Sequence, residues 1–253
     1  MYPYQPLFTG KNVIFLPETN STNIDAMDLL AKTNPPEGTC IITDFQTAGK
    51  GQIGRGWQSN PGENLLVSFI LYPDIIKASD QFYLNMAVSL ALVGTLAEYY
   101  IAVAIKWPND IYHKDKKITG ILIQNILAGN YIKATVIGIG LNVNQSEFPD
   151  NIPNPASMSM ITDQVYDIKA VLEKLSCHLE YYYLLLKAGK YRYIKSIYLK
   201  NLYRSGVKAL YKEADGIPFY GVIQGTDPDG RLVMLKEDGS TRLYMFKEVS
   251  YII

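Results

Sequence analysis

The chain has 253 residues, which is enough for one large domain or for a main domain with a small second one. Its 24 cationic and 24 acidic residues give a formal net charge of zero. No global electrostatic field therefore recruits nucleic acid or an anionic membrane surface.

Cysteine usage and hydropathy indicate a cytoplasmic protein. Cys40 and Cys177 lie far apart in apolar segments, without a CxxC motif, and are predicted to be buried free thiols in a reducing compartment. The N-terminus lacks the charged and apolar regions of a signal peptide. Residues 86–105 approach the length of a membrane span with only Glu98 charged, but they divide better into a buried helix and a buried strand.

The first quarter of the chain predicts strands at residues 12–16, 39–45 and 64–72. Ser21 stands at an N-cap position before a helix whose apolar residues recur at helical spacing. The residues around this cap form a strand-to-helix corner, which can present hydroxyl and amide groups to a ligand. Capping alone would also explain Ser21.

Between the second and third of these strands lies the glycine-rich segment TAGKGQIGRGW, residues 47–57. Its first three glycines match the G-x-G-x-x-G spacing of dinucleotide-binding folds, but Gly56, Pro61 and Gly62 prevent the helix that this motif must open. A P-loop is also excluded, because Arg55 and Gly56 follow where Lys and Ser/Thr are required.

What this segment does predict is a long loop between strands. Its backbone N–H groups can face an anion, and Lys50 and Arg55 add positive charge that a phosphate accepts. Trp57, at the end of the loop, can stack on a base or fill the core. The competing interpretation is a flexible, solvated hairpin.

The middle of the chain predicts a buried helix at residues 79–100 capped by Ser79, followed by a strand at 101–105. The strand ends in KWPND, residues 106–110, where Pro108 ends ladder pairing. These polar residues fit either a site at a strand end or a simple turn. A charged turn at 114–117 leads to strands at 118–127 and 131–143, joined through Gly129-Asn130.

Within the second of these strands, Gly138 and Gly140 indicate a bulge or the close approach of a ligand, and Asn142 follows them. Residues 144–156 are predicted to be loop, and 168–188 and 191–203 helices. His178, in the first of these helices, has no partner motif and is interpreted as structural. Short strands separated by Asp-Gly turns from residue 206 onward predict a small antiparallel barrel, which should pack on the main domain because it is marginal alone.

These segments, in this order, resemble the biotin–protein ligases over nearly the whole chain, in the short form without an N-terminal DNA-binding region. The resemblance is carried by Ser21-Thr22-Asn23, QTAGKGQIGRGW from Gln46, KWPND from Lys106, KITGIL from Lys117, GIGLN from Gly138, and the small C-terminal barrel.

The resemblance implies an α+β fold: a mixed sheet flanked by helices, of the class II synthetase-like type, over residues 1–204, and an SH3-like barrel over 205–253. It implies that biotin and ATP with Mg²⁺ give biotinyl-5′-AMP, and that the biotinyl group then passes to a lysine of a biotin carboxyl carrier protein. It implies neither DNA nor membrane binding, and leaves open whether the chain forms a homodimer.

The resemblance also implies roles for individual residues. The implied biotin site consists of Ser21, Thr22, Asn23, Gln46, Gly49, Gly51, Lys117 and Gly120. The implied nucleotide site consists of Lys50, Gln52, Arg55, Trp57, Asn109 and Asn142. Lys117, Arg55 and Asp110 are the implied catalytic residues, with Asp110 also the candidate ligand for Mg²⁺.

One residue departs from the family pattern. Gln52 stands two positions after Lys50, where the family usually has a basic residue. A neutral amide binds a phosphate less strongly than a cation does, so weaker retention of the adenylate is expected.

Three other functions are compatible with parts of the sequence. A lipoate ligase or octanoyltransferase shares the fold, but KWPND and GRGW favour biotin. A regulator that binds biotinyl-adenylate and DNA is disfavoured, because only about ten residues precede the first predicted strand, too few for a helix-turn-helix. A plain nucleotide-binding scaffold would need no acyl pocket.

Overall fold

The computed structural model of the protein describes residues 5–51 and 56–253. Seven strands form a first sheet: β1 Val13–Thr19, β2 Cys40–Gln46, β3 Asn64–Leu71, β4 Ala104–Lys106, β5 Asp110–His113, β6 Lys116–Ala128 and β7 Tyr131–Asn142. Their spatial order is β1-β2-β3-β7-β6-β5-β4, and only the β1–β2 pair is parallel. The predicted mixed sheet is confirmed.

Five helices accompany the sheet: α1 Thr22–Lys32, α2 Gln81–Ala97, α3 Met158–Thr162, α4 Ile168–Lys187 and α5 Tyr191–Lys200. Along β7, Ile137 and Ile139 belong to the large core that α2, α4 and α5 share, whereas Val136 packs with Ala26 of α1. Because successive side chains of a strand point to opposite faces, α1 covers one face of the sheet, and α2, α4 and α5 cover the opposite face.

Strand β3, NLLVSFIL, is buried along its whole length because it lies in the middle of the sheet with helices on both sides. Helix α2 is apolar on nearly all faces because it packs between the sheet and α4.

Burial raises the pKa of the Cys40 thiol in β2 to about 12. Cys177 is a reduced cysteine as expected, but it is only half-buried, contrary to the prediction.

The predicted helix 79–100 and strand 101–105 need correction. Ser79 lies in a 3-10 turn at Ala78–Asp80, and α2 begins after it and ends at Ala97. Tyr100 adopts a left-handed conformation, and the N–H of Ile101 donates to Leu96 at the helix end. Because the N–H of Ile101 is still bonded to the end of α2, the pairing of β4 with β5 begins only at Ala104.

A second, antiparallel sheet follows α5 and confirms the predicted C-terminal strands. It contains β8 Lys208–Glu213, β9 Pro218–Thr226, β10 Leu232–Lys236, β11 Thr241–Tyr244 and β12 Val249–Tyr251, in the order β11-β10-β9-β8-β12. Helix α5 ends three residues earlier than predicted, because the N–H of Tyr203 donates to Ile105 of the first sheet instead.

The two sheets share one hydrophobic core, to which Tyr211, Ile223 and Met234 of the second sheet contribute. The predicted packing of the small sheet on the main one is therefore confirmed. The predicted boundary between residues 204 and 205 falls between α5 and β8. No helix in the two described stretches combines the length and apolarity needed to cross a membrane.

Candidate functional site

The face of the sheet beneath the N-terminus of α1 is opened by glycines. On β7, Gly138, Gly140 and Asn142 share this face. They alternate along the strand with apolar residues that point to the opposite face, which α2, α4 and α5 cover. A Cβ on Gly138 would lie 2.0 Å from Oδ1 of Asn23, and one on Gly140 would lie 2.4 Å from Cε2 of Trp57. At both glycines the close approach is made by a side chain of the protein itself, Asn23 or Trp57.

The N-terminus of α1 forms one wall of this space, where Ser21, Thr22 and Asn23 are all buried. Oε1 of Gln46 accepts hydrogen bonds from the N–H of Thr22 (2.9 Å) and from its hydroxyl (3.3 Å). Ser21 occupies the N-cap position, but its side chain makes no capping hydrogen bond. Capping therefore does not account for this hydroxyl.

Ser68 of β3 belongs to the same wall and was not predicted. Its hydroxyl lies 2.7 Å from Oγ1 of Thr22 and 2.6 Å from Oδ1 of Asn23. The amide of Asn23 donates in turn to Oε1 of Gln124, at 3.0 Å. The only sequence signal for Ser68 is a lone hydroxyl in an otherwise apolar strand. These contacts fix the asparagine and threonine side chains in one orientation.

The glycine loop leaves the sheet through a narrow neck. The N–H of Trp57 donates to the carbonyl of Gly49 (2.8 Å), and Lys50 and Gly56 form an isolated antiparallel bridge. A Cβ on Gly49 would lie 2.4 Å from the carbonyl oxygen of Trp57, so only glycine fits there. Gly51 is half-buried and Lys50 is exposed. The predicted Gln52 and Arg55 lie outside the described residues.

Trp57 brings its indole from this neck onto the glycine face. The ring packs against Gly140 of β7 and Gly120 of β6, which are paired across the two strands. Nζ of Lys117 lies 5.8 Å from the ring centroid. The indole Nε1 is buried and has no hydrogen-bond partner among residues 5–51 and 56–253. An aromatic surface, a cation and an unused donor thus lie together.

Lys117 points into this space because of a β-bulge. The register of β5 against β6 shifts between Ile111 and Tyr112, which pair with Thr119 and Lys117. A bulge of this kind redirects a side chain, and Nζ of Lys117 lies 3.4 Å from where a Cβ on Gly120 would be. Lys117 is therefore only partly exposed, whereas Lys114, Asp115 and Lys116 before it are exposed.

Two asparagines and one aspartate complete the site. Asp110, at the start of β5, lies 2.7 Å from Nζ of Lys117. Asn109 is buried and its amide donates to the carbonyl of Ile121. Asn142 is also buried; its amide donates to the carbonyl of Ala156, while its Oδ1 accepts no hydrogen bond from the part of the chain that the structure describes. A buried acceptor without a partner is costly unless a ligand satisfies it.

The donor set does not form a resident metal site. Within residues 5–51 and 56–253, no group of three or more His, Cys, Asp or Glu side chains could hold a metal ion. Asp110, the predicted Mg²⁺ ligand, contributes a single carboxylate that is already paired with Lys117. Such a site suits Mg²⁺ that arrives coordinated by substrate phosphates rather than by a protein cage.

The comparison with known protein families agrees with this arrangement. Residues 15–142, which run from within β1 to the end of β7, match the biotin/lipoate A/B protein ligase family. The chain belongs to this family. The matched range contains every predicted site residue, from Ser21 to Asn142.

Individual relatives extend the similarity over nearly the whole chain. The chain is 33% identical over 239 residues to the bifunctional ligase/repressor BirA of Bacillus spizizenii, covering 93% of this chain and 73% of that protein. It is 26% identical over 228 residues to the biotin–[acetyl-CoA-carboxylase] ligase of Paracoccus denitrificans, covering 87% and 92%.

Among solved structures, the biotin protein ligase of Aquifex aeolicus in complex with biotin and ATP superimposes with a TM-score of 0.78. The two chains are 28% identical, and the alignment covers 95% of this chain and 98% of the other. The family fold, including the C-terminal antiparallel sheet, is thereby established for this protein.

Proposed function

We propose that the protein is a biotin–protein ligase, which activates biotin with ATP and transfers the biotinyl group to a lysine of a biotin carboxyl carrier protein. The observation that carries the proposal is the juxtaposition on one sheet face of Trp57, Lys117 and the glycines beneath the indole. Family membership and the biotin ligase relatives support it.

In the first step, a carboxylate oxygen of biotin attacks the α-phosphorus of ATP. The bond from that phosphorus to the bridging oxygen breaks, and pyrophosphate leaves with the electron pair. Negative charge accumulates around the α-phosphate in the transition state, and a fixed cation in a water-poor site stabilises it. Lys117 is the cation placed for this role, since Asp110 holds its Nζ next to the glycine face.

The polar wall at the N-terminus of α1 suits the fused ring and ureido group of biotin. A binding site for such a ligand needs an apolar slot with a few fixed hydrogen-bonding groups. Thr22 and Asn23 are fixed through Gln46 and Ser68, and the hydroxyl of Ser21 is not used for capping. This wall is therefore the biotin end of the site.

The Trp57 and Asn142 end suits the nucleotide. The indole offers a flat surface on which adenine can stack, and Oδ1 of Asn142 is a buried acceptor for a hydroxyl or amine of the nucleotide. Asp110 is the carboxylate that would face a Mg²⁺ ion bound to the ATP phosphates, and the ion would neutralise phosphate charge there. Lys50 and Arg55 remain the predicted phosphate-binding cations of the loop.

In the second step, the amine nitrogen of a carrier lysine attacks the acyl carbon of biotinyl-5′-AMP. AMP leaves with the electrons of the carbon–oxygen bond, and the nitrogen loses a proton. No residue of the ligase becomes covalently modified, because the adenylate is already activated. Proximity and charge stabilisation supply most of the acceleration.

The deciding experiment is ATP–pyrophosphate exchange with biotin, lipoate and octanoate supplied separately. We expect exchange with biotin alone, and then transfer of labelled biotin to a carrier domain that retains its acceptor lysine. The same carrier with that lysine changed to arginine is the control. Exchange with lipoate or octanoate and none with biotin would assign the chain to the other branch of the family.

A further inference from the structure

The glycine loop is held at both ends by glutamine side chains. At its entry, Oε1 of Gln46 accepts the hydrogen bonds from Thr22 described above. At its exit, Oε1 of Gln145 accepts a hydrogen bond from the backbone N–H of Asn60, at 3.1 Å. Asn60 follows Trp57 by three residues, and Gln145 follows Asn142 by three. The exit contact thus joins the two segments that carry the proposed nucleotide-binding groups.

Gln145 is fully engaged by its neighbours although it lies in a loop. The side chain is 1% exposed, its Oε1 also accepts from Nδ2 of Asn64 at 2.5 Å, and its Nε2 donates to the carbonyl of Glu147 at 2.7 Å. Oδ1 of Asn64 accepts in turn from the N–H of Val143, at 3.0 Å. These bonds define the amide orientation and connect the loop exit to the end of β7.

We propose that Gln145 is a positioning residue for ATP. It holds the Trp57 side of the loop against the end of β7, so that the indole and the unpartnered Oδ1 of Asn142 keep a fixed separation. The nucleotide then meets a preformed site and does not have to order the loop exit on binding. This inference rests on the proposed ligase function and adds to it a residue that does not touch substrate.

The size and direction of the effect follow from the hydrogen bonds. Removing the Oε1 acceptor of Gln145 breaks its hydrogen bonds with the N–H of Asn60 and with Nδ2 of Asn64. The free energy lost with these two hydrogen bonds corresponds to roughly a tenfold rise in the KM for ATP. The affinity for biotin should stay within about twofold, since Gln46, Thr22 and Ser68 hold the biotin end independently.

Two variants of Gln145 and one matched control test the proposal. Gln145→Met keeps the approximate shape but removes the amide, and Gln145→Asn keeps an amide that is too short to reach both donors. The control is Asn144→Ala, because the Asn144 side chain exchanges two hydrogen bonds of 2.9 Å with the backbone of Tyr166 and none with the described loop residues 57–60. All three variants lose buried or half-buried hydrogen bonds, but only the first two release the loop.

The measurements are the KM for ATP in biotin-dependent pyrophosphate exchange, the Kd for biotin alone, and amide hydrogen exchange of residues 57–64 in the ligand-free protein. We expect a raised KM and faster exchange in both Gln145 variants, with an unchanged biotin Kd, and neither effect in Asn144→Ala. If Gln145→Met does not fold, Gln145→Asn carries the test.

Equal effects of the Gln145 and Asn144 variants would overturn the proposal, as would unchanged hydrogen exchange at residues 57–64. The exchange measurement needs neither biotin nor ATP. A wild-type protein inactive with biotin would therefore refute the proposed function while the hydrogen-exchange result still tested the contact.

Discussion

Lys117 and Asp110 face each other across the β5–β6 hairpin, with Nζ of the lysine 2.7 Å from Oδ1 of the aspartate. Both side chains are partly exposed, so the pair contributes little to folding stability. Its consequence is positional: a flexible lysine at a strand start is fixed beside the Trp57 ring. The bulge and the ion pair together determine where the positive charge lies.

Lys117→Ala should lower the rate of adenylate formation by about 10²–10³-fold, the usual effect of deleting a group that stabilises transition-state charge. The midpoint of thermal unfolding should change little. Lys116→Ala is the control, because Lys116 is the exposed neighbour at the start of β6. Single-turnover adenylation with saturating biotin and ATP measures the effect. Equal rates in the two variants would remove Lys117 from the proposed mechanism.

Gly140→Ala should displace the Trp57 indole, since the added Cβ would lie 2.4 Å from ring carbon Cε2. No real contact of this kind is that short, so the ring must move off the sheet. We expect a weakened affinity for ATP, measured by calorimetry with a non-hydrolysable analogue. Gly56→Ala is the control in the same loop, where the nearest contact would be 3.4 Å. Unchanged ATP affinity in Gly140→Ala would show that the ring position is not required.

The two strands that carry the glycine face were predicted from the sequence, and strand geometry accounts for the face itself. Alternation in GIGLN places Gly138, Gly140 and Asn142 on one side of a strand, and the Gly129-Asn130 turn defines the hairpin that precedes them. The convergence of the loop, KWPND and Lys117 came from the family resemblance, because those segments are distant in the chain.

The supporting contacts could not be predicted, because each depends on a register that no local pattern reveals. Ser68 meets Asn23, which is 45 residues away, and Gln145 meets Asn60, which is 85 residues away. A serine within an apolar strand and a glutamine within a polar loop are unremarkable locally. The end of α2 was missed for a related reason: nothing in the sequence shows that Tyr100 turns into the left-handed region.

As the pH rises, the protein should unfold before its buried tyrosine side chains lose their protons in the folded state. Burial raises the pKa of Tyr211 to about 12, and burial with several nearby acidic groups raises that of Tyr99 to about 12. Because these pKa values are raised on folding, their stabilising contribution is complete below the unfolded value of about 10 and is lost as pH rises toward 12. Cys40 adds to the loss over the same range.

The measurement is tyrosinate absorbance at 295 nm together with circular dichroism during a pH titration. The absorbance change that belongs to Tyr99 and Tyr211 should appear only together with the loss of the helix signal. Titration of all tyrosines near pH 10 in a folded protein would contradict the assigned burial.

The chain has two tryptophans, and substituting each in turn measures how much the contact between the two sheets contributes to stability. Nε1 of Trp107 donates a buried hydrogen bond of 2.8 Å to the carbonyl of Gly230, in the turn before β10, whereas Nε1 of Trp57 has no partner. Trp107→Phe therefore leaves a buried carbonyl unsatisfied and should lower the free energy of unfolding by about 1–3 kcal/mol more than Trp57→Phe, which loses a similar volume. Urea denaturation of both variants gives the difference between their free energies of unfolding. ATP binding should change in the opposite order, because Trp57→Phe should weaken it more than Trp107→Phe does. A Trp57→Phe protein as destabilised as Trp107→Phe would show that lost ring volume, and not the bond to Gly230, sets the stability of the junction.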